Sequence, residues 1–531
     1  MLEAIRNLGI IKMIQEFPDE FTYEALGSVD KFLEQRENVI QKGIYGNLQF
    51  ETIDDEEIGV FSINGDGIIF KKMAKTDDTT QYVFRKTPGS QAAYISPTWK
   101  AAKSNKKLES TVEYFKQYIK TEGLSKEAKE VFEKIISVFE SKSISVEEDG
   151  KIIQKDFWSI YNDKKKSDSN KKGLNVFTIT INNKYPGQIN EILNYALNQI
   201  ADSFYSASGI EPTIGKCSIC YHDDKLFPNV LSGTGINIAN IDKPGFFPGV
   251  SKQASLKAFP ICAPCAEALF VAKSQVLPQF TQLISGHQSL IIPHLVQSDN
   301  KTKGLEIIQY ALKLLARDVS SSKGTEAGII EDIADNKGIA TVSFLFGEVA
   351  GQSIQNIRKF LPDVLPSRLS EIAKAIHEIN GIHNAYPDDH PWVFKNKQKG
   401  RRNPLDGQLQ IIRNVLGMAR YVKPSQGKRK PFKSSSVDSL DLLEAIFMKK
   451  DFSLKALIPE FSAKLSYDFL GSLSNEKQEP VFVIRDNIAN MVYLLRFLDK
   501  LEVIKMADNI NLVGKYLEGC EGLEPLNKFL S

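Results

Sequence analysis

Four of the five cysteines in this 531-residue chain form two close pairs, Cys217–Cys220 and Cys262–Cys265, each with a two-residue spacer. Such a spacer lets both thiolates of one turn face the same ion, and two turns complete the tetrahedral sulfur sphere that structural zinc prefers. The 41 residues between the pairs exceed the spacing of compact zinc ribbons, so a sub-loop must be inserted. We therefore predict one structural Zn²⁺, held by Cys217, Cys220, Cys262 and Cys265.

Two other interpretations of the cysteines stay open at this point: two unrelated pairs of buried thiols, or a redox Cys-x-x-Cys. A closed four-sulfur sphere has no open position for a catalytic water, so the predicted zinc is structural. A zinc deaminase would need a His-x-Glu motif and a Pro directly before its Cys-x-x-Cys. Here Asp224 occupies the Glu position after His222, and Ile261 separates Pro260 from Cys262.

A basic segment covers residues 395–433. It carries twelve lysines and arginines and one acid, Asp406, in a chain whose net charge is only +2. Aromatic rings such as Trp392 and Tyr421 are interleaved with it, and such rings can stack on unpaired bases. The alternative is a solvated surface without a partner. We predict nucleic-acid binding through Lys395, Lys397, Lys399, Arg401, Arg402, Arg413, Arg420, Lys423, Lys428, Arg429, Lys430 and Lys433.

Two further basic stretches precede this segment. The residues from Lys164 to Gly173 include no side chain suited to a core, and they predict a solvated loop. For a cluster nearer the N-terminus, a nucleic-acid role and a solvated surface both stay open. That cluster consists of Lys71, Lys72, Lys75, Arg85 and Lys86.

The hydrophobic pattern changes along the chain. Runs rich in β-branched residues predict strands at Val176–Ile181, Ser289–Val296 and Ile339–Phe346, and no strand beyond Phe346. Apolar residues then recur at helical spacing after Pro366 and between Ile484 and Leu498. The predicted fold class is α+β. A mixed α/β N-terminal domain (1–360), with the zinc module inserted at about 212–272, precedes an all-α helical-bundle C-terminal domain (361–531).

The remaining features favour a cytoplasmic protein that is not an enzyme. Glu3 stands where a signal peptide has a basic start, and no apolar run approaches the ~18 residues that cross a bilayer. The stretch Gly209–Lys216 lacks P-loop spacing, and Cys217 stands where Ser or Thr would hold magnesium.

Three pieces of sequence occur in order around the cysteines: Cys217–Cys220, the turn Asp242–Phe246, and Phe259–Cys265. Together they resemble the zinc-binding signature of the large subunit of type I-B CRISPR Cascade complexes. In that family a first Cys-x-x-Cys is followed by a similar Pro-Gly turn and then by a second knuckle that leads into a helix.

The resemblance implies a non-enzymatic large subunit of an RNA-guided DNA surveillance complex. Such a subunit binds the 5′ handle region of the guide RNA (crRNA), reads the target-adjacent motif and stabilises the opened target DNA. It implies as partners the backbone subunit, the 5′-handle cap and the small subunit of Cascade, and a helicase–nuclease recruited later. The lack of a long apolar run predicts no membrane partner. Residues 361–531 would correspond to a small-subunit-like bundle.

Two alternatives remain from the residues alone. A stand-alone zinc-ribbon DNA-binding protein, regulatory or involved in replication, would explain the cysteines and the basic segment equally well. A metallo-hydrolase that uses His377, His383 and His390 would need a second metal besides the one held by cysteines.

Overall fold

The structure is a computed structural model. It describes residues 1–42, 46–51, 53–65, 67–85, 93–148, 150–167, 171–207, 209–236, 254–295, 339–350, 353–387, 393, 395–396, 400–401, 405, 409–417, 436–473 and 480–505.

The described chain forms two compact units, which separate between Val276 and Leu277. A unit that is compact does not for that reason fold independently of the remaining chain. The domain limits predicted from the sequence, 1–360 and 361–531, therefore stay a prediction. No helix within the described ranges is both long and apolar enough to span a bilayer.

The first unit combines helices with two sheets. Its helices are α1 (Leu2–Glu16), α2 (Glu24–Gly27), α3 (Val29–Gln41), α4 (Gly46–Gln49), α5 (Lys106–Tyr118), α6 (Lys126–Glu140), α7 (Phe157–Lys164), α8 (Asn190–Ile200), α9 (Val230–Gly233), α10 (Ser255–Ala258) and α11 (Ala263–Val271). Its strands are β1 (Glu57–Asn64), β2 (Gly67–Ala74), β3 (Thr98–Lys100), β4 (Ile144–Glu148), β5 (Lys151–Lys155), β6 (Val176–Ile181), β7 (Thr213–Lys216), β8 (Asp223–Phe227) and β9 (Ile261–Cys262).

The larger sheet has six strands in the order β3-β6-β1-β2-β4-β5. It is mixed, because β1 runs parallel to β6 and antiparallel to β2. The predicted strand β6 is buried along its whole length. Its threonine hydroxyls are satisfied across the sheet: Thr178 hydrogen-bonds Thr98 at 2.8 Å, and the Thr180 hydroxyl donates to Ser62. Paired in this way, threonine tolerates burial on a strand that its β-branching favours.

The sheet and the helices beside it share one aromatic core. The Trp99 indole stacks on Phe177, with ring centroids 5.9 Å apart, and lies near Phe139 of α6. Phe157, at the start of α7, packs on Phe61 from β1. Such rings bury large apolar areas, so this core stabilises the six-stranded sheet. All of its residues precede the cysteine region in the sequence.

The second unit begins with an antiparallel sheet in the order β10-β11-β12-β13. Its strands are β10 (Thr281–Ile284), β11 (His287–Leu295), β12 (Ile339–Ala350) and β13 (Ser353–Val364), with the short pair β14 (Lys395–Asn396) and β15 (Gly400–Arg401). Its helices are α12 (Pro366–Ala385), α13 (Gln410–Leu416), α14 (Ser439–Met448), α15 (Leu454–Leu473) and α16 (Pro480–Lys500).

A buried arginine joins the helices of this unit. Arg368 on α12 donates from Nε to the Ile446 carbonyl and from Nη2 to the Leu501 carbonyl. These carbonyls lie at the C-terminal ends of α14 and α16, where backbone acceptors lack helical partners. Arg368 therefore supplies a hydrogen-bond donor to one carbonyl at the end of each of these two helices.

The structure confirms the fold class: mixed α and β elements with a four-cysteine cluster, followed by helices. It also confirms the predicted strands as β6, β11 and β12, and the predicted C-terminal helices as α12 and α16. The expectation of no strand beyond Phe346 is wrong, because β12 continues to Ala350 and β13 follows. Register shifts between β12 and β13 interrupt the two-residue alternation by which a strand is recognised.

Helix α1 packs against α11 at a glycine. A Cβ atom built on Gly9 would lie 2.0 Å from the carbonyl oxygen of Ala268. Alanine at position 9 therefore requires the two helices to separate. We expect Gly9→Ala to lower the free energy of unfolding by about 1–3 kcal/mol, measured by urea denaturation.

The matched control is Gly27→Ala at the end of α2, where an added Cβ meets no heavy atom within 4 Å. This variant should unfold at the urea concentration of the wild type or slightly above it, because alanine favours helix more than glycine does. Equal midpoints for the two variants would refute the proposed close packing.

Candidate metal centre

The four predicted cysteines converge. The Sγ atoms of Cys217, Cys220, Cys262 and Cys265 all lie within 4.8 Å of one another. Those of Cys220 and Cys262 are 3.8 Å apart. A tetrahedral site with Zn–S bonds of about 2.3 Å requires sulfurs about 3.8 Å apart, so this donor set fits such an ion.

The first pair lies in the turn between β7 and β8. The backbone N–H of Tyr221 donates to the Cys217 carbonyl, and that of Cys217 donates to the His222 carbonyl. Tyr221 takes a positive φ of 58°, which lets the chain reverse directly after Cys220. Strands β7 and β8 flank this turn and pair with each other, beginning with Lys216 opposite Asp223. Their pairing holds the two ends of the turn together.

The second pair straddles the start of α11. Cys262 ends β9, opposite Leu226 of β8, and also takes the N-cap position of α11. Cys265 lies in the first turn, after Pro264, whose fixed φ suits that position. The two pairs are joined directly by a hydrogen bond from the Ser218 N–H to the Pro260 carbonyl. The three-stranded sheet β7-β8-β9 thus positions all four sulfurs.

The surroundings suit thiolate ligands. The backbone N–H groups of Ile219 and Cys262 both point at the Cys217 sulfur, at 3.5 Å. Hydrogen bonds with the thiols of Cys220, Cys262 and Cys265 lower the pKa of Cys217. The bonds with Cys217 and Cys220 raise the pKa of Cys262. The pKa of Cys220 is lowered to about 7, because its bond with Cys217 raises it less than its bonds with Cys262 and Cys265 lower it. Two of the four sulfurs thus favour the anionic form, and a cation bound to all four would displace the remaining protons.

A buried ion pair anchors the helix that carries the second cysteine pair. Arg36 of α3 binds Glu267 of α11 through two hydrogen bonds, Nε–Oε2 at 2.6 Å and Nη2–Oε1 at 2.8 Å. The Glu267 side chain is only 4% exposed. The Gln49 amide donates to the Glu267 backbone carbonyl as well. The position of α11, and hence of Cys265, is therefore fixed by groups far away in sequence.

Three of the twelve predicted nucleic-acid contacts lie among the described residues. Lys395 lies on β14 and Arg401 on β15, as far as the backbone is described. Arg413 lies on α13, where its side chain packs against Gly286 in the turn between β10 and β11. The others lie outside the described residues: Lys397, Lys399, Arg402, Arg420, Lys423, Lys428, Arg429, Lys430 and Lys433.

The histidines of the alternative hydrolase do not form a described cluster. His383 is fully buried on α12, where its ring lies against Tyr493, whereas His377 on the same helix is exposed. His390 lies outside the described residues. Within the described ranges, the cysteine quartet is the one group of three or more His, Cys, Asp or Glu side chains placed to share a metal.

Comparison with known proteins links this centre to one family. Residues 214–364 match the model of the CRISPR-associated protein TM1802 central domain. The matched stretch, 151 of 531 residues, begins three residues before Cys217 and contains all four cysteines. The match supports a CRISPR-associated protein. Comparisons with curated proteins and with solved structures give no match.

The matched stretch spans more than the cysteine module. It continues through β10, β11 and β12 to the end of β13 at Val364. The signal in the sequence that located the site was the spacing of the cysteines. The ion pair between Arg36 and Glu267 had no such signal, because 231 residues separate its partners.

Replacement of one ligand tests the metal centre. We expect Cys262→Ser to reduce bound zinc from about one ion per chain to about none, because a closed structural site requires all four thiolates. The thermal unfolding midpoint should fall as well, since metal binding contributes directly to folding. Elemental analysis and calorimetry measure the two effects.

The control is Cys520→Ser, which removes the fifth cysteine, a residue outside the described ones. This variant should keep the zinc content and midpoint of the wild type. If Cys262→Ser retained its zinc, the quartet would not be the metal site.

Removal of one partner tests the anchor of α11. Arg36→Met leaves the Glu267 carboxylate buried without its bidentate partner, so we expect the free energy of unfolding to fall by about 3–5 kcal/mol. Arg36→Met combined with Glu267→Met should recover part of this loss, because the buried carboxylate is gone, although the Arg85 guanidinium, which Glu267 also attracts, stays buried. Urea denaturation measures both.

Lys31→Met on the same helix is the control. Lys31 forms an exposed ion pair with Glu34, and solvent screening leaves such a pair little effect. Its midpoint should match that of the wild type. A double variant as unstable as Arg36→Met would mean that packing, rather than the charge pair, holds α11.

Proposed function

We propose that this chain is the large subunit of a type I CRISPR RNA-guided DNA surveillance complex. The observation that carries the proposal is the four-cysteine centre inside the stretch that matches a CRISPR-associated family. The subunit would bind the 5′ handle region of the guide RNA, read the target-adjacent motif and stabilise the opened DNA. In such effectors the protein reads only the short motif, and base pairing reads the remaining sequence.

The assignment to type I-B rests on the order of three sequence pieces. Two of them, Cys217–Cys220 and Phe259–Cys265, form the knuckles of the candidate metal centre. The third, Asp242–Phe246, lies outside the described residues. The proposal includes Zn²⁺ as the ion, because the sulfur spacing and an all-thiolate donor set suit a structural zinc site.

The proposed role is binding rather than catalysis, in the cytoplasm. A sphere closed by four sulfurs leaves no ligand position for substrate or water, so the centre would stabilise the fold. The proposed partners are guide RNA, target DNA, and the backbone, 5′-handle cap and small subunits of Cascade. DNA cleavage would belong to a helicase–nuclease recruited afterwards. The C-terminal helices α12–α16 would act as the small-subunit-like bundle, with residues 395–433 as its basic contact.

The second candidate is a stand-alone zinc-ribbon DNA-binding protein, regulatory or involved in replication. It would use the same cysteine module and the same basic segment, but it would need neither a guide RNA nor partner subunits. The match to a CRISPR-associated family favours the surveillance complex over this alternative.

The deciding experiment is to purify the tagged chain from its native cells, sequence the RNA that accompanies it and identify the co-purifying proteins. We expect short RNAs with a constant 5′ handle and variable spacers, together with a defined set of protein subunits. The Cys520→Ser variant should recover the same RNA, whereas Cys262→Ser should lose it with the metal centre. Absence of RNA, or RNA of random sequence, would contradict the proposal and favour the stand-alone protein.

A further inference from the structure

A cavity of about 860 Å³ opens at the edge of the six-stranded sheet, entirely within the first unit. Its walls come from β2, β4, the end of α7 and the loop that precedes β6. The apolar side chains Phe70 and Val146 form part of its lining, and Ile152 at its border is 76% exposed. Such an opening is unusual beside two parallel strands, which are ordinarily covered.

The cavity exists because the two parallel strands separate. Strand β4 pairs with β2 only at Ile69 and Phe70, whereas β1 pairs with β2 as far as Ala74. From Lys71 onward, the edge of β2 that faces β4 therefore has no strand partner among the described residues. Backbone polar groups at such an edge remain available to a ligand.

Lysines from separate parts of the chain meet at this opening. Lys71 and Lys72 come from β2, Lys164 ends α7, and Lys172 lies in the loop that follows. Glu147 is the one acid among the described lining residues. Two stretches of sequence about 90 residues apart, which the sequence alone could not relate, thus contribute to one cationic cavity.

These lysines differ in how they are paired. Lys72 binds Glu57, and Lys164 binds both Glu148 and Asp163. Lys71 and Lys172 are exposed and form no ion pair within the described ranges. Charges without partners inside a concave surface repel one another unless an anion binds, so the cavity favours an anionic ligand.

The structure also corrects the sequence-based view of both basic stretches. Three described residues of the stretch 164–173 belong to more than a solvated loop, because Lys164, Lys172 and Gly173 line a cavity together with β2. Arg85, in contrast, does not belong to the surface cluster. It is 4% exposed, with its guanidinium 3.7 Å from the Phe270 ring centroid.

We propose that this cavity binds the phosphodiester backbone of a nucleic-acid strand, an inference that rests on the proposed function. The volume far exceeds that of one phosphate group, and the cations come from three elements rather than from one point. Lysine acts as a point charge without the planar fork that recognises a base edge, so binding is independent of sequence. Exposed apolar surface at Ile152 offers contact to sugars or base faces.

The test compares two double variants of the full-length chain. Lys71→Gln/Lys172→Gln removes the two unpaired charges of the cavity. Lys120→Gln/Lys184→Gln removes two exposed lysines that do not line it. Affinities for single-stranded RNA and single-stranded DNA of mixed sequence are measured between about 50 and 300 mM salt, a range over which phosphate binding weakens strongly. Poly-glutamate serves as a third probe.

We expect the cavity variant to bind every sequence more weakly by the same factor. Its slope of log affinity against log salt should become shallower by about 1.4, or about 0.7 for each phosphate that a lysine no longer neutralises. The control variant should keep the wild-type slope. A preference for RNA or for DNA in the wild type shows which strand supplies the phosphates.

An unchanged slope in the cavity variant would overturn the inference, as would a wild-type chain that binds neither nucleic acid. Binding of poly-glutamate in place of RNA and DNA would assign the cavity to an acidic protein segment and overturn it as well. The proposed function fails separately. If guide RNA co-purifies but the slope is unchanged, only the cavity assignment falls; if the slope changes without guide RNA, only the surveillance role falls.

Discussion

The convergence of four cysteine sulfurs is the constraint on which the surrounding structure depends. It requires a turn between β7 and β8, and the junction of β9 with α11, to meet although 41 residues separate the two pairs. Neither segment is long enough to form an independent core, so the sheet β7-β8-β9 and the sulfur cluster must stabilise each other. Small modules of this kind commonly derive their folding energy from a metal, and the closed donor set is suited to that role.

The cysteine module is not isolated from the remainder of its unit. Helix α11 begins at the second cysteine pair, receives the bidentate contact of Arg36, and packs at Ala268 directly against Gly9 of α1. An ion pair in such a buried place does little for net stability, because desolvation offsets the attraction. Its geometry is nevertheless directional, since two parallel hydrogen bonds allow one orientation of α3 against α11. The sulfur cluster fixes the N-terminal end of α11. The salt bridge and the glycine contact determine which sides of α11 pack against α3 and α1.

The sequence predicted those features whose cause is local. The spacing of the cysteines identified the cluster, the β-branched run identified β6, and the apolar seam identified α16. It failed where the cause is tertiary. In β13 the alternation of buried and exposed side chains is broken by shifts in its pairing register with β12, which depend on the partner strand. Pro362 is tolerated in β13 because this strand lies at the edge of its sheet. The contact of Arg36 with Glu267 and the burial of Arg85 depend on how the helices pack, which no local pattern encodes.

Basic residues show most clearly why a count of charges along a chain is an incomplete guide to binding. Arg85 and Arg368 are buried, where one stacks on a ring and the other satisfies helix ends. Lys72 and Lys164 are held by carboxylates, and Arg413 packs against a turn. Only positive charges that are both exposed and unpaired release counterions on contact with phosphate, and these govern affinity. Lys71 and Lys172 satisfy both conditions within the described ranges, and both line the cavity that opens where two parallel strands separate. The divergence of β2 and β4 therefore brings together two cations that are far apart in sequence, which a count of charges along the chain does not show.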